Sequence, residues 1–529
     1  MKHSIPVALG IAGALFLAAC EPNPNRTAPN AAAVALREVP AGIDLRSGRL
    51  SLRDFTRLLA YADESIQAQA LEVAISEQAA IGARGEFEPI FYADLSRAGE
   101  LSQTSAADFL STGTGTDSSG TPFPFEEYGT NGRIGVEMKD TTGVTVDLYY
   151  EMGKIANSLQ KAAALASPEH SSAVGVTVRA PLARNSGRAV NTSSVMVADI
   201  EKEIAAETVR LLKTQRAFEG IKTYLFVQRA QQRVHWRQET ARLAAQLEQE
   251  LEQQVALGLL EQSVLTQAAS DVAERNAAVT LARQELEENV GALQIYFLGL
   301  DGANQHRRWM PSDSLTLLPG RYLSAANLPP LDTAYARRPE SKINALRIER
   351  EEILRLVAEN QTMAEANLVL DVKKTQLSAA YIPFRNVFTS DNPYQTWKIG
   401  FEFRKGLGGN ITEQAEYQAA LLREKQAELT MRAYRQRVAS ELNGIGAILD
   451  RARENLRYQD EIIAAQQRLL DTESANAESG NSSAIDVLRA RLSLAYAREA
   501  RADAIAQLNL SSYLASQIDG TLLTRMGID

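Results

Sequence analysis

The sequence predicts a mainly α fold with a small β part, built as two copies of one unit: a helix, then strands, then a long antiparallel coiled-coil hairpin. Three observations predict it. Apolar residues recur every seven positions along two long stretches, and each stretch is interrupted once at a glycine. The interrupting glycines, Gly258 and Gly480, lie 222 residues apart (480 − 258), and similar strand-like text precedes each hairpin, Val174–Arg179 and Ile399–Arg404. A period of that size marks an internal repeat. Finally, all 17 prolines lie outside the two stretches, with none between Pro181 and Pro311 and none after Pro393. Proline breaks helix interiors, so the two blocks lack the strongest breaker.

The second stretch is the clearer. Leu442, Leu449, Leu456, Ile463 and Leu470 stand at sevens, with Val438, Ile445 and Ala452 between them. A strict seven-residue repeat keeps one seam facing a neighbour and imposes a left-handed supercoil. The pattern breaks at Ala477–Ser483 and restarts at Ile485, Leu488, Leu492 and Ala495. Gly480 and Asn481 suit the left-handed backbone that ends a helix, and serine caps the next one. A helix from Ile411 to Ala477 measures about 100 Å at about 1.5 Å per residue, a length that suits a wall or tube. In the first stretch Ile204, Leu211, Phe218 and Leu225 stand at sevens and Leu243, Leu247, Leu251 and Val255 at fours.

Taken in order, residues 51–300 form the first copy. A helix capped by Ser51 runs to about Ile81, strands occupy about 87–181, and the hairpin about 190–298. Within the strand region, Phe87–Leu95 begins a strand and Gly132–Lys139 and Gly143–Tyr150 alternate with period two. Arg97–Thr130, rich in Ser, Thr and Gly, reads as a mobile loop, and Met152–Ser172 as a loop between strands; Ala173–Pro181 is a strand. Residues 301–338, with Pro311, Pro319, Pro329 and Pro330, join the copies. In the second copy, 339–529, a helix runs from Pro339 to about Ala380. Strands follow over about 383–405, at Phe384–Phe388 and Trp397–Arg404 around a Thr389–Pro393 turn, and the hairpin spans about 411–518. The strands carry Tyr149, Tyr150, Tyr394, Trp397, Phe401 and Phe403. Alternating segments with aromatic ends read as transmembrane barrel strands, with a soluble sheet packed on the helices as the alternative.

The net charge of −9 and pI near 5.4 argue against nucleic acid as the main partner. Beyond the N-terminal region no stretch is long and apolar enough for a membrane-spanning helix, so a membrane crossing would use strands. His3, His170, His235 and His306 are scattered without metal-ligand spacing, and phosphate loops and hydrolase elbows are missing. The expectation is no enzyme, no metal and no cofactor. Lys2, the apolar Val7–Leu17 and the small residues before Cys20 read as a signal peptide over 1–19. Leu17-Ala18-Ala19-Cys20 resembles a bacterial lipoprotein box. That resemblance implies lipidation of Cys20, the only cysteine, and a lipidated tether over 20–50; Glu21 after it leans toward the outer membrane.

Four runs and their order resemble the TolC-like outer-membrane efflux and export family. Ala180–Arg188 is similar to the family's junction between last strand and long helix, with Pro181 and Gly187; Gly406–Gly409 holds that place in the second copy. Arg338-Pro339-Glu340 resembles the opening of the second copy, and Gly480–Ala490 the hairpin-tip motif. The resemblance implies a homotrimer whose strands pool into one outer-membrane β-barrel above an α-helical barrel. It implies a passive duct working with a periplasmic adaptor and an inner-membrane pump. The gate is then expected at the tips, at Gly258, Glu261, Gly480, Ser482, Asp486 and Arg489. Asp486 has two readings, a first-turn cap acid and a member of an acidic ring at a pore mouth. The chain departs from the family pattern where Val264 stands opposite Asp486, and where Arg489 stands in place of a second acid. The alternative functions are the adaptor itself, or a structural coiled-coil lipoprotein without a pore.

Overall fold

The computed structural model describes residues 42–103, 124–162, 167–300, 307–317, 322–382, 387 and 394–528. Cys20, the signal segment and the tether up to residue 41 lie outside these, as do most of Phe384–Phe388 and the Thr389–Pro393 turn. In chain order, β1 (Arg49–Leu50) leads to α1 (Leu52–Ala62) and α2 (Glu64–Arg84), then β2 (Ile90–Ser102), β3 (Phe125–Lys139), β4 (Thr145–Asn157), a short α3 (Ser158–Ala162) and β5 (Glu169–Pro181). A single turn, α4 (Arg188–Asn191), opens the first hairpin, α5 (Ser193–Ala256) and α6 (Gln262–Gln294). The second copy follows through β6 (Met310–Pro311) and α7 (Leu331–Arg337) to α8 (Pro339–Gln361), β7 (Glu365–Ser378) and β8 (Gln395–Arg404). It ends with the hairpin α9 (Ile411–Glu478) and α10 (Ala484–Ile518), and a last turn α11 (Leu522–Met526).

The two hairpins stand where the heptads put them. Val438, Leu442, Ile445, Leu449, Ala452 and Leu456 of α9 are buried, and Ile463 and Leu470 half-buried as the seam loosens toward the tip. Gly187 and Gly409, also 222 residues apart (409 − 187), both have positive φ, +98° and +88°.

Four readings change. The first helix is two: Asp63 ends α1 and caps α2, accepting from the amides of Ser65 (2.9 Å) and Ile66 (3.3 Å). The loop expected at Arg97–Thr130 begins and ends as strand, since β2 runs to Ser102 and β3 starts at Phe125; 104–123 lie outside the described residues. Within Met152–Ser172, Met152–Asn157 and Glu169–Ser172 are strand and Ser158–Ala162 is α3. The helix expected to reach Ala380 stops at Gln361, and Glu365–Ser378 is β7. The side chain of Asn360 ties that helix end to the β5 junction by accepting from the Asn185 amide (2.7 Å), and β7 then pairs with β5 and β8.

The main core sits at mid-height. α1 crosses α5 so closely that a Cβ added to Gly220 would collide with Leu59. Phe55, Leu58, Ile221, Tyr224, Phe297, Trp309 and the end of the chain at Leu522 and Met526 fill it. A second cluster joins Tyr322 and Ala334 to α9 and α10. Beside the first core, Asp63 is almost wholly buried and receives the Arg216 guanidinium at 2.7 Å. Burial alone would raise its pKa, but hydrogen bonds from Ser65 and Arg216 and the Arg216 charge hold it below the usual carboxylate value. A carboxyl whose folded pKa is depressed stabilises above the unfolded value, about 3.9, and loses that contribution as pH falls through the folded one. Asp63→Asn is therefore expected to lower stability at pH 7 and to remove part of the acid sensitivity below about pH 4, read as the pH dependence of the urea midpoint by circular dichroism.

Candidate functional site

Six strands form one antiparallel sheet in the order β2-β3-β4-β5-β7-β8, four from the first copy and two from the second. Side chains alternate across a strand, so pairing register sorts them into two faces. One row runs Phe91–Val136–Leu148–Val176–Val372–Trp397 through all six strands. Below it, toward the helices, stand Val178, Leu370, Ile399, Leu368, Phe401 and Phe403. Most of this face is open: Trp397 is 68% exposed, Ile399 63% and Leu95 70%. Ile382 and Val387 cover part of it by packing on Tyr150 and Val174. Water does not tolerate such a band, and bilayer hydrocarbon does.

The other face is polar. Arg133 reaches Asp147 (2.8 Å) and Glu151 (3.0 Å), donates to the Tyr92 hydroxyl (2.9 Å) and lies 4.0 Å from the Tyr149 ring centroid. Asp371 accepts from Tyr149 (3.0 Å) and Thr177 (2.8 Å), and Arg179 pairs with Glu402 at 2.5 Å. The aromatics predicted from sequence divide accordingly: Tyr150, Trp397, Phe401 and Phe403 share the apolar face, while Tyr149 stands on the polar one. Tyr394 is exposed just before β8.

Beneath the sheet the helices make a wall one layer deep. In the half nearer the sheet, contacts run α2–α5–α8–α9; in the half nearer the tips they run α6–α5–α10–α9. The two hairpins are fastened by charge as well as by Leu243, Leu488 and Ala495. Arg233 of α5 bridges Glu285 of α6 (2.7 Å) and Asp503 of α10 (3.0 Å), and Arg237 holds Glu499 at 2.9 Å. Burial pushes the Glu499 carboxyl up against the pull of Arg237 and Arg233. The margins of the wall carry exposed apolar residues: Leu71, Ile75 and Ile81 on α2, Leu281 on α6, and Leu422, Leu429, Ile462 and Leu469 on α9. α2 leads into edge strand β2, and edge strand β8 leads into α9, so each margin continues from wall to sheet.

The hairpin turns superimpose in sequence at 222. Gly258 and Gly480 have φ +74° and +76°, a backbone that disfavours any side chain. Both close the same motif. Leu259 N–H bonds Gln254 O and Gly258 N–H bonds Val255 O; Asn481 and Gly480 repeat this with Asn476 and Ala477. The restarts differ. Glu261 sits at the N-cap of α6 without a side-chain cap bond and accepts from Ser263 (3.2 Å). In the second copy Ser483 is the cap: it accepts from the Asp486 amide while Asp486 Oδ2 accepts from the Ser483 hydroxyl at 2.6 Å. Ser482 instead donates to Glu473 of α9 at 2.5 Å. Asp486 is thus a cap acid, itself half-buried, with the exposed Arg489 3.6 Å away on its own helix. The Ser483 hydrogen bond keeps its pKa low, so it stays charged at neutral pH. The other predicted residues mark the strand-to-helix junctions. Pro181 ends β5 opposite Asn367, the Gly187 amide donates to Thr142 O (3.1 Å), and the Gly406 amide donates to Asn410 Oδ1 (3.1 Å) ahead of Gly409. Sequence reading missed the Arg133 and Arg233 clusters: the Arg133 partners come from the two strands flanking β3 and the Arg233 partners from two other helices, and no helical or strand spacing signals either. Among the described residues no His, Cys, Asp and Glu group suits a metal ion, and no helix is long and apolar enough to cross a membrane.

Neither a protein-family model nor a curated sequence matches the chain. Solved structures do. A membrane protein from Pseudomonas aeruginosa is 14% identical, with 92% of this chain and 94% of that one covered at TM-score 0.60. The Campylobacter jejuni CmeC outer membrane channel is 12% identical, with 89% and 86% covered at 0.58. The outer membrane protein VceC from Vibrio cholerae is 14% identical, with 90% and 97% covered at 0.56. The chain has the fold of these membrane proteins over nearly its whole length.

Proposed function

We propose that this chain, whose fold is the TolC-like channel fold, is the outer-membrane duct of a tripartite efflux or export system. It is a passive conduit and not an enzyme. The observation that carries this reading is the six-stranded sheet, apolar and exposed on one face, charged on the other and open at both edges. Unpaired edge groups are not tolerated in hydrocarbon, so such a sheet is complete only when copies close it into a barrel. The contact this requires is head-to-tail, α2 and β2 of one copy against α9 and β8 of the next, which closes into a ring. Three copies is the number implied by the family resemblance. Lipidation at Cys20 anchors the chain in the outer membrane, and the hairpins reach through the periplasm toward an adaptor and an inner-membrane pump.

The tips at Gly258, Glu261, Gly480, Ser482, Asp486 and Arg489 form the periplasmic gate. Small changes of supercoil swing the far ends of helices this long most, and partly exposed ion pairs there are worth at most about 1 kcal/mol each, weak enough for a docking partner to replace. Native mass spectrometry is expected to give three copies; a well-behaved monomer in detergent would sink the duct. In planar bilayers Asp486→Ala is expected to raise single-channel conductance or change cation preference. Glu287→Ala, far from the tip and paired with Arg308 at 2.6 Å, is expected to do neither. Equal behaviour of the two variants would make the tip a structural turn only.

A further inference from the structure

The strands of the two copies do not match one for one. β2 leaves α2 as β7 leaves α8, and β5 enters the first hairpin as β8 enters the second. β3 and β4 have no counterpart among the described residues of the second copy. The spacing says the same. The ends of α2 and α8, Arg84 and Gln361, are 277 apart (361 − 84), while the junction glycines Gly187 and Gly409 are 222 apart (409 − 187). The first copy is therefore longer by 55 residues (277 − 222) between these points, and Phe125–Asn157 falls inside that interval.

The inserted pair is built into the sheet along its whole length. β3 pairs with β2 from Ile90↔Glu137 to Ser102↔Phe125, and β4 pairs with β5 from Thr145↔Arg179 to Ile155↔Glu169. Ile134, Val136, Val146 and Leu148 continue the apolar face, and Arg133, Asp147 and Glu151 supply the core of the polar one. The turn between them reaches down to the strand-to-helix junction, where Thr142 O accepts from the Gly187 amide at 3.1 Å. A hairpin adds two strands, so directions still alternate. β2 runs away from the helices and β8 toward them, and β8 of one copy meets β2 of the next antiparallel.

We propose that this inserted hairpin stands in the barrel wall and widens it, each chain giving six strands, so that the membrane section is broader than the insertion-free repeat would build. The proposal rests on the channel reading above. Three copies then give eighteen strands (3 × 6). At a strand spacing of about 4.8 Å and a tilt of about 40°, that barrel is about 36 Å across between backbones, against about 24 Å for twelve strands. The membrane section is then not the sieve. Passage is limited in the helical wall and at its tips, and the barrel admits bulky solutes from outside as a wide vestibule.

Cysteine pairs in the membrane-embedded full chain, treated with a short bifunctional thiol reagent, test this. Ala93→Cys with Ile134→Cys, and Leu148→Cys with Val176→Cys, are expected to cross-link, while Ala93→Cys with Val176→Cys is expected not to. Deleting 125–157 is expected to lower the largest polyethylene glycol that enters the pore from the barrel side in a planar bilayer. Cross-linking of 93 to 176 in an intact oligomer would place β2 directly beside β5 and overturn the widening alone. A monomer in the same samples overturns the channel reading and the width with it, leaving strand order as the cross-links give it.

Discussion

Val372→Arg is expected to abolish assembly in the outer membrane. Val372 sits in the row that crosses all six strands, between Val176 and Trp397, and is 43% exposed in the single chain. An arginine near the bilayer midplane of a barrel costs about 2–4 kcal/mol, and a ring of identical copies incurs that cost in every one. Thr396→Arg is the control. It stands one residue from Trp397 on β8, opposite Lys373, and therefore on the polar face. The pair is read by heat-modifiable migration and by detergent extraction of the outer-membrane fraction: Val372→Arg is lost from the assembled band and Thr396→Arg stays. Equal tolerance of both would mean that the apolar face does not meet lipid.

Phe55→Ala is expected to be the most damaging change in the wall. The ring is fully buried where α1 crosses α5, with ring centroids of Tyr224, Phe297 and Tyr296 at 5.5, 5.6 and 6.1 Å. Truncating a buried phenylalanine costs about 3–5 kcal/mol, because transfer energy is lost and the cavity relaxes only in part. That is roughly a hundred- to several-thousand-fold in the ratio of folded to unfolded chain. The expected result is a large fall in the urea midpoint of the helical signal, and release of α1 seen as protease cleavage near residue 52. Leu281→Ala, on the exposed margin of α6, is expected to leave the midpoint within about 0.5 kcal/mol. The same substitution is expected to weaken association between copies if that margin is an interface.

How much of this was legible depends on how local the cause is. The hairpins were written plainly: a seven-residue period, a glycine at the left-handed turn and no proline are all local, and α5, α6, α9 and α10 fall within a few residues of their expected ends. The turns at Gly258 and Gly480 are legible for the same reason, and the serine that caps the second restart is Ser483. Strands were harder. A long strand in a two-faced sheet mixes glycine, charge and aromatics on its polar side, and so Arg97–Ser102, Phe125–Thr130 and Met152–Asn157 read as loop and Glu365–Ser378 as helix. The alternation Ala366, Leu368, Leu370, Val372 was there to be seen, but it stood among good helix formers, and its partners on β5 lie nearly two hundred residues away.

The sequence by itself determined the helical wall, the two-copy plan and the turns at Gly258 and Gly480, because each rests on interactions within a few residues of chain. Only the tertiary structure decided the number and order of strands, which face is apolar, that Arg133 gathers two acids of β4 with Tyr92 of β2, and that Arg233 gathers acids from two separate helices. Those outcomes are set by cross-strand register and helix neighbours, where one residue of slip exchanges the faces of a strand, and residues that meet there are far apart in the chain.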